Sequence, residues 1–247
     1  MAIRRLFADL ETAPNIVYSW RVGYKINLSP ENIIKERNII CVAWKWEGEK
    51  KVKSIAWDGE SDVELIREFM EVMNDSDEVV FHNGDHFDLP WLRARCVKHG
   101  IPCFPTYKTV DTLKWARTFY FNSNKLDYLS QYLGGVAKLP TGFDLWKRVM
   151  SGEKKALKTM VDYCKNDVTM LENVYHELAP YCPHKTNIAV LEGGERWHCV
   201  HCASKDISLS KTRVSAMGIP RYQLVCNDCH KYFTVSNTTY NKMLEEE

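Results

Sequence analysis

The order of the apolar runs is the feature that most restricts the fold. Three short stretches rich in β-branched and aromatic residues precede the first helical period: "IRRLFADL" (Ile3–Leu10), "NIICVAWKW" (Asn38–Trp46) and "KVKSIAW" (Lys51–Trp57). The intervening "EGEK" fits a hairpin turn. A helix is then expected over "SDVELIREFMEVMND". Ser61 and Glu64 have capping-box spacing, and Val63, Ile66, Phe69, Met70 and Met73 recur at helical intervals. Glu78–Asn83 reads as a strand. "DLPWLRARCVKHG" reads as a helix with proline near its start and Gly100 at its end, and "YKTVDT" as a fifth strand. Only helical segments follow, around 113–120, around 126–133 and within 153–178. Consecutive strands imply antiparallel pairing and strand–helix alternation implies parallel pairing. The expected class is therefore α/β, a mixed sheet with flanking helices.

Helical periodicity stops after Pro180, in "YCPHKTNIAVLEGGERWHC", which divides the chain into domains at 1–182 and 183–247. Nine cysteines are present, and four of them form two C-x-x-C pairs: Cys199 with Cys202, and Cys226 with Cys229. Two equally spaced knuckles about two dozen residues apart point to one structural Zn²⁺ held by four thiolates. His198, His201 and His230 lie beside them, but a four-thiolate site is simpler. The other cysteines are scattered, and "MAIRRLFADLET" lacks the long apolar region of a secretory signal, so the expected location is cytoplasmic, in a reducing compartment. No apolar run is long enough to span a bilayer. Net charge is +1, so the chain is no polycation, and a nucleic-acid surface requires local charge segregation.

The first strand ends in "DLET". On a strand, side chains at i and i+2 face the same side, so Asp9 and Glu11 project together. Adjacent carboxylates repel unless a cation lies between them or one is protonated. Hard divalent ions take such oxygen ligands. A third acid, Asp88, follows a strand and turn in "VVFHNGDHFDLPW", where it is also placed to cap the helix. A second pair, Tyr163 and Asp167, shares one helical face in "YCKNDV".

Taken together these pieces resemble the DEDD superfamily of 3′–5′ exonucleases, whose fold is RNase H-like. Asp9 and Glu11 match its D-x-E motif. Asn83, Phe87 and Asp88 match its N-x-x-x-F-D motif, and Tyr163 and Asp167 match Y-x-x-x-D. The last defines the tyrosine subgroup, which includes proofreading domains of DNA polymerases. The histidine subgroup needs histidine five residues before Asp167, where this chain has Asp162. "VDTLKWA" resembles a segment these domains carry between the second and third motifs. The likeness covers about residues 1 to 180, and the cysteine segment resembles a zinc ribbon. The resemblance implies a hydrolase acting on DNA by two-metal-ion chemistry. Asp9, Glu11, Asp88 and Asp167 would ligate two Mg²⁺ or Mn²⁺, Tyr163 would orient the attacking water, and Asn83 and Phe87 would contact substrate. The implied partners are single-stranded or frayed 3′ ends of DNA and a polymerase or repair complex. An exoribonuclease, an endonuclease and a non-catalytic nucleic-acid-binding module remain as alternatives. His82 and His86 are expected to be structural or substrate-facing. Aromatics such as Trp20, Tyr24, Trp91 and Trp115 are candidates for stacking on an unpaired base. The lysines from Lys138 to Lys158 read as either a strand-tracking surface or a solvated face. Lys205, Lys211, Arg213 and Arg221, between the knuckles, suggest phosphate contact, with protein docking as the rival.

Overall fold

The computed structural model describes residues 3–23, 25–183 and 186–246. It divides into two compact units, Arg4–Leu178 and a smaller one from Ala179 onward. The larger unit begins with β1 (Arg5–Thr12), followed by a short hairpin of β2 (Ile16–Val17) and β3 (Ile33–Lys35), then β4 (Ile39–Trp46) and β5 (Lys53–Ala56). Helix α1 (Val63–Asn74), β6 (Glu78–Phe81), α2 (Asp88–His99) and β7 (Thr109–Asp111) complete the strand–helix part. Four helices follow: α3 (Thr112–Ala116), α4 (Leu126–Tyr132), α5 (Phe143–Met150) and α6 (Lys154–Leu178).

The main sheet has the order β5-β4-β1-β6-β7. Its β4 pairs antiparallel with β1 and β5, while β1–β6 and β6–β7 are parallel. This is the mixed α/β sheet that the order of apolar runs predicts. The strands are apolar because both faces of the sheet are covered: β1, β4 and β6 are buried along most of their lengths. One face of β1 packs on α6, with the Phe7 ring 5.2 Å from Tyr175 and the Cys164 thiol donating to the Asp9 carbonyl at 3.3 Å. By strand alternation Asp9 and Glu11 share that face. Parallel pairing of β1 with β6 ends at Phe7 opposite Val80. Beyond that point β1 pairs only with β4, and the start of α2 enters the opening beside Asp9.

Two local expectations differ from the structure. The capping box at Ser61 is not formed. Helix α1 starts at Val63, and the residue before it is Asp62. Its carboxylate, wholly buried, accepts two hydrogen bonds from Arg95 at 2.7 Å each, with His99 at 2.8 Å and the Ile39 amide at 2.9 Å. This tertiary cluster outcompetes the local cap. The lysine-rich stretch after Lys138 contains α5, which buries Leu145 and Val149 one turn apart. That stretch is not a uniform cationic surface. Lys138 pairs with Asp167, Arg148 with Glu153, and Lys158 with Asp162.

The smaller unit contains α7 (Ile188–Leu191), strands β8 (Ile207–Val214), β9 (Pro220–Cys226) and β10 (Tyr232–Ser236), and α8 (Asn237–Glu246). Its antiparallel sheet has the order β10-β9-β8. Trp197, Leu224, Phe233, Val235 and Met243 form its core, and Tyr222 stacks on Tyr240 of α8 with centroids 3.9 Å apart. Among the described residues, no helix is long and apolar enough to cross a membrane.

Candidate active site

Oxygen atoms of Asp9, Glu11 and Asp167 come within 4.8 Å of one another where β1 meets α6. Tyr163 lies one helical turn before Asp167 on α6. Asp88, the first residue of α2, is not in that trio, but its charge is felt by Asp9. Burial, then the charges of Glu11, Asp88 and Asp167, hold Asp9 well above the usual carboxylate range, against a hydrogen bond from Cys164. Burial and Asp167 push Glu11 up to about 7, although Lys138 opposes them. Burial raises Asp88 to about 8 despite backbone hydrogen bonds from its own amide and from Leu10, with Asp111 and Glu11 adding to the rise. Asp167 is raised by burial, partly countered by Lys138. These acids are too close and too dry to ionise together without added positive charge. Asp88 Oδ1 and Asp167 Oδ1 are buried without a hydrogen-bond partner. An all-carboxylate donor set with spare buried oxygens fits hard divalent cations such as Mg²⁺ or Mn²⁺.

One cation of the chain already reaches this cluster, and sequence spacing does not reveal it. Lys138 Nζ lies 3.1 Å from Asp167 Oδ2 and 4.6 Å from the centroid of the Tyr163 ring. Its ammonium is held firmly charged by Tyr163 and Asp167, although burial opposes this. The Tyr163 ring also meets Trp146 edge-on at 6.3 Å. Trp146 in turn donates from Nε1 to the Thr12 carbonyl at 3.1 Å, which ties α5 to the end of β1.

The loop between β6 and α2 supplies the remaining predicted residues. Asn83 has φ of 71°, a left-handed conformation that asparagine tolerates better than most residues. Its amide donates to Asp111 Oδ1 at 2.9 Å. Asp111 also caps α3 through the Leu113 amide at 3.0 Å, so the "VDTLKWA" segment brackets the loop that carries Asn83. Gly84 has no room for a side chain, since a Cβ there would lie 2.2 Å from Phe81 Cβ. Both ring nitrogens of His82 are engaged, with Thr112 and with the Asn124 carbonyl, which makes it structural. Asn83, Asp9 and Asp167 line one cleft of about 750 Å³, together with Arg117, Lys125 and Lys138. Phe87 does not join them. Its ring is partly exposed in a neighbouring groove with Trp91 and Arg37, 6.2 Å from the Trp91 ring. The Arg37 guanidinium lies over that indole at 4.6 Å. Among the other stacking candidates, Trp20 is fully exposed, Trp115 stacks on Tyr175, and Tyr24 lies outside the described residues.

In the smaller unit, the sulfurs of Cys199, Cys202, Cys226 and Cys229 lie within 4.8 Å of one another. The two knuckles have matching turns. The Ala203 amide donates to the Cys199 carbonyl and the His230 amide to the Cys226 carbonyl, both at 2.9 Å, and Ala203 and His230 both have positive φ. The amides of His201 and Cys229 point at Cys199 Sγ and Cys226 Sγ. Backbone donors of this kind favour thiolates, and four converging thiolates fit a tetrahedral ion such as Zn²⁺.

No curated protein matches the chain. The fold is similar to that of the family B DNA polymerase from the hyperthermophilic archaeon Pyrobaculum calidifontis. The TM-score is 0.57 at 19% identity, over 72% of this chain and 25% of the polymerase, so the chain spans about a quarter of that protein's length. The family model for the RNase_H superfamily matches residues 33–179. That match begins after β1, so the assignment does not rest on Asp9 and Glu11. It covers more than half of the chain, including the strand–helix part of the sheet and the helix carrying Asp167, and on that match the protein belongs to the RNase_H superfamily.

Proposed function

We propose that the protein is a metal-dependent 3′–5′ exonuclease of the tyrosine DEDD subgroup, acting on DNA, with a zinc ribbon as its second domain. The observation that carries this reading is the carboxylate cluster of Asp9, Glu11 and Asp167, with Asp88 beside it and buried oxygens left unpartnered. Such a cluster is costly in a resting fold and is explained by the ions it would hold. Asp9, Glu11, Asp88 and Asp167 would hold two Mg²⁺ or Mn²⁺, which, when bound, supply Lewis acidity for the attacking water and for the leaving 3′ oxygen.

The chain's own groups divide the remaining tasks. The Tyr163 hydroxyl can hold a water by hydrogen bond, but burial raises its pKa, so it orients the water and does not deprotonate it. Lys138 extends from a loop to the same point. Once the acids are otherwise neutralised, its ammonium is free to pair with a phosphate oxygen. Arg117 and Lys125 extend positive charge along the cleft, where a strand's phosphates would run. Asn83 is fixed at the cleft wall by its backbone. The fold likeness to a DNA polymerase supports DNA as the substrate. Cys199, Cys202, Cys226 and Cys229 would hold one structural Zn²⁺.

A digestion panel tests the reading. The substrates are 5′-labelled single-stranded DNA, duplex DNA, DNA with mismatched ends, and RNA, each with Mg²⁺ or Mn²⁺. Stepwise shortening of single-stranded or frayed DNA is expected, and Asp9→Ala and Asp167→Ala should each abolish it while remaining folded. Internal cuts would indicate an endonuclease, preference for RNA an exoribonuclease, and binding without cleavage a non-catalytic module.

A further inference from the structure

We propose that the open face of the β8–β9–β10 sheet binds a nucleic-acid strand through its phosphates, at a site separate from the carboxylate cleft. The choice of nucleic acid as occupant rests on the nuclease reading above. The face itself follows from register. In β9, Leu224 and Cys226 point into the core beneath the sheet, so Arg221, Gln223 and Val225 point the other way. Directly opposite residues of antiparallel strands share a face. Arg213 faces Arg221, and Lys211 faces Gln223. On the other side, Ser236 faces Arg221, Thr234 faces Gln223, and Tyr232 faces Val225. Lys211, Arg213, Arg221 and Tyr232 are all exposed. The face thus carries three cations and a phenol, and no acid.

Cations on β8 alone would have an ordinary explanation, because charged residues on an edge strand discourage unwanted pairing. Arg221 is not covered by that explanation. It lies on the central strand, directly across from another arginine, where like charges destabilise a sheet. Neither arginine is relieved by an ion pair among the described residues. Arg213 instead donates from Nε to Gln223 Oε1 at 3.0 Å, which leaves the rest of the guanidinium free and oriented. An arrangement that costs stability when empty and is neutralised by anions is suited to binding them. Lys211 and Arg213 are two residues apart on one strand, about 7 Å, a repeat that a chain with one charge per nucleotide can follow. Tyr232, on the opposite strand of the same face, offers an exposed ring on which an unpaired base can stack.

The test uses the full zinc-loaded chain carrying Asp9→Asn to prevent cleavage. Fluorescence anisotropy measures its affinity for a labelled single strand of about 30 nucleotides over a range of salt. The double variant Arg213→Gln/Arg221→Gln should bind about tenfold more weakly at low salt, and its log–log salt slope should fall by about 1.4, as two lost phosphate contacts require. Tyr232→Ser should weaken binding several-fold without changing that slope. Zinc content and circular dichroism confirm folding, and Lys211→Gln alone serves if the double variant does not fold. Unchanged affinity and slope would overturn the proposal. So would loss of binding to a poly-glutamate probe with nucleic-acid binding intact, which would assign the face to an acidic protein. Cleavage by the otherwise wild-type enzyme is scored separately on a short oligonucleotide. If that fails while the strand still binds this face, the nuclease reading falls and this inference stands.

Discussion

At the residue scale, the carboxylates were legible as pairs in the sequence because strand and helix periods fix which side chains share a face. What the sequence does not show is their depth or their company. Lys138 and Asp167 are far apart in sequence, and nothing in "GVAKLP" says that the lysine turns inward. Its position gives a first prediction. Lys138→Ala removes an ammonium that competes for Asp167, so calorimetric titration should find Mn²⁺ binding unchanged or a few-fold tighter. Single-turnover cleavage should nevertheless slow, because the phosphate loses a cationic partner. Parallel loss of metal affinity and turnover would instead mean that Lys138 only anchors its loop. A second prediction concerns pH. Unfolded carboxylates titrate near pH 4, whereas Glu11 is raised to about 7 and Asp88 to about 8 in the folded protein. Between those limits the folded state binds more protons than the unfolded state, so its stability falls as pH rises. Without added Mg²⁺ or Mn²⁺, urea midpoints should decline as pH rises from about 4 through about 8. Asp88→Asn should flatten the decline, and so should added Mn²⁺.

At the element scale, apolar periodicity reveals the five strands of the main sheet and the long helices, because burying a stripe or a face requires it, but not the two-stranded hairpin of β2 and β3. It failed where tertiary contacts replace local ones. Ser61 and Glu64 have the spacing of a capping box, yet the buried Asp62 organises the start of α1 by joining Arg95 and His99 of α2 to the Ile39 amide of β4. Helix α5 carries no legible period because its buried stripe is a single pair, Leu145 and Val149. The Asp62 cluster has a measurable consequence. Both partners are buried, with side-chain exposures of 7% for Arg95 and 0% for Asp62. Removing Arg95 leaves a buried carboxylate whose remaining partners are His99 and the Ile39 amide. Arg95→Ala should therefore lower stability by about 3–5 kcal/mol, read as a shift of the urea midpoint at constant slope. Asp62 itself is partly penalised by burial, but Arg95, the Ile39 amide and His99 outweigh that and hold its pKa low. Its contribution is present above about pH 4 and is lost as pH falls through its folded value. The same experiment below pH 4 should show the difference between wild type and Arg95→Ala shrinking.

At the scale of the whole molecule, the loss of helical periodicity after Pro180 and the two C-x-x-C knuckles mark the second compact unit, which begins at Ala179 and is expected to draw its stability from a different source. Arg4–Leu178 has a sheet covered on both faces and a 25-residue helix packed across it. The unit from Ala179 onward has a core of a few side chains, among them Trp197, Leu224, Phe233 and Met243. A unit of this size is only marginally stable on apolar burial alone. Its knuckles also impose a cost. Ala203 and His230 hold left-handed backbone, with φ of 60° and 58°, in order to aim amides and sulfurs at one point. Each such residue costs roughly 1–2 kcal/mol, which a bound ion readily offsets, since thiolate zinc sites contribute on the order of 10 kcal/mol to folding. Removing zinc with a strong chelator should therefore unfold β8, β9 and β10 while β1, β4 and β6 stay folded. Hydrogen exchange resolved along the chain checks this. Protection of the amides that pair Phe233 with Leu224 should vanish, and protection of those pairing Asp9 with Ala43 should persist. The double variant Cys199→Ser/Cys226→Ser should reproduce the pattern without chelator. Retained protection in β9 after the metal is gone would show that the small core suffices and that the four cysteines are not its structural support.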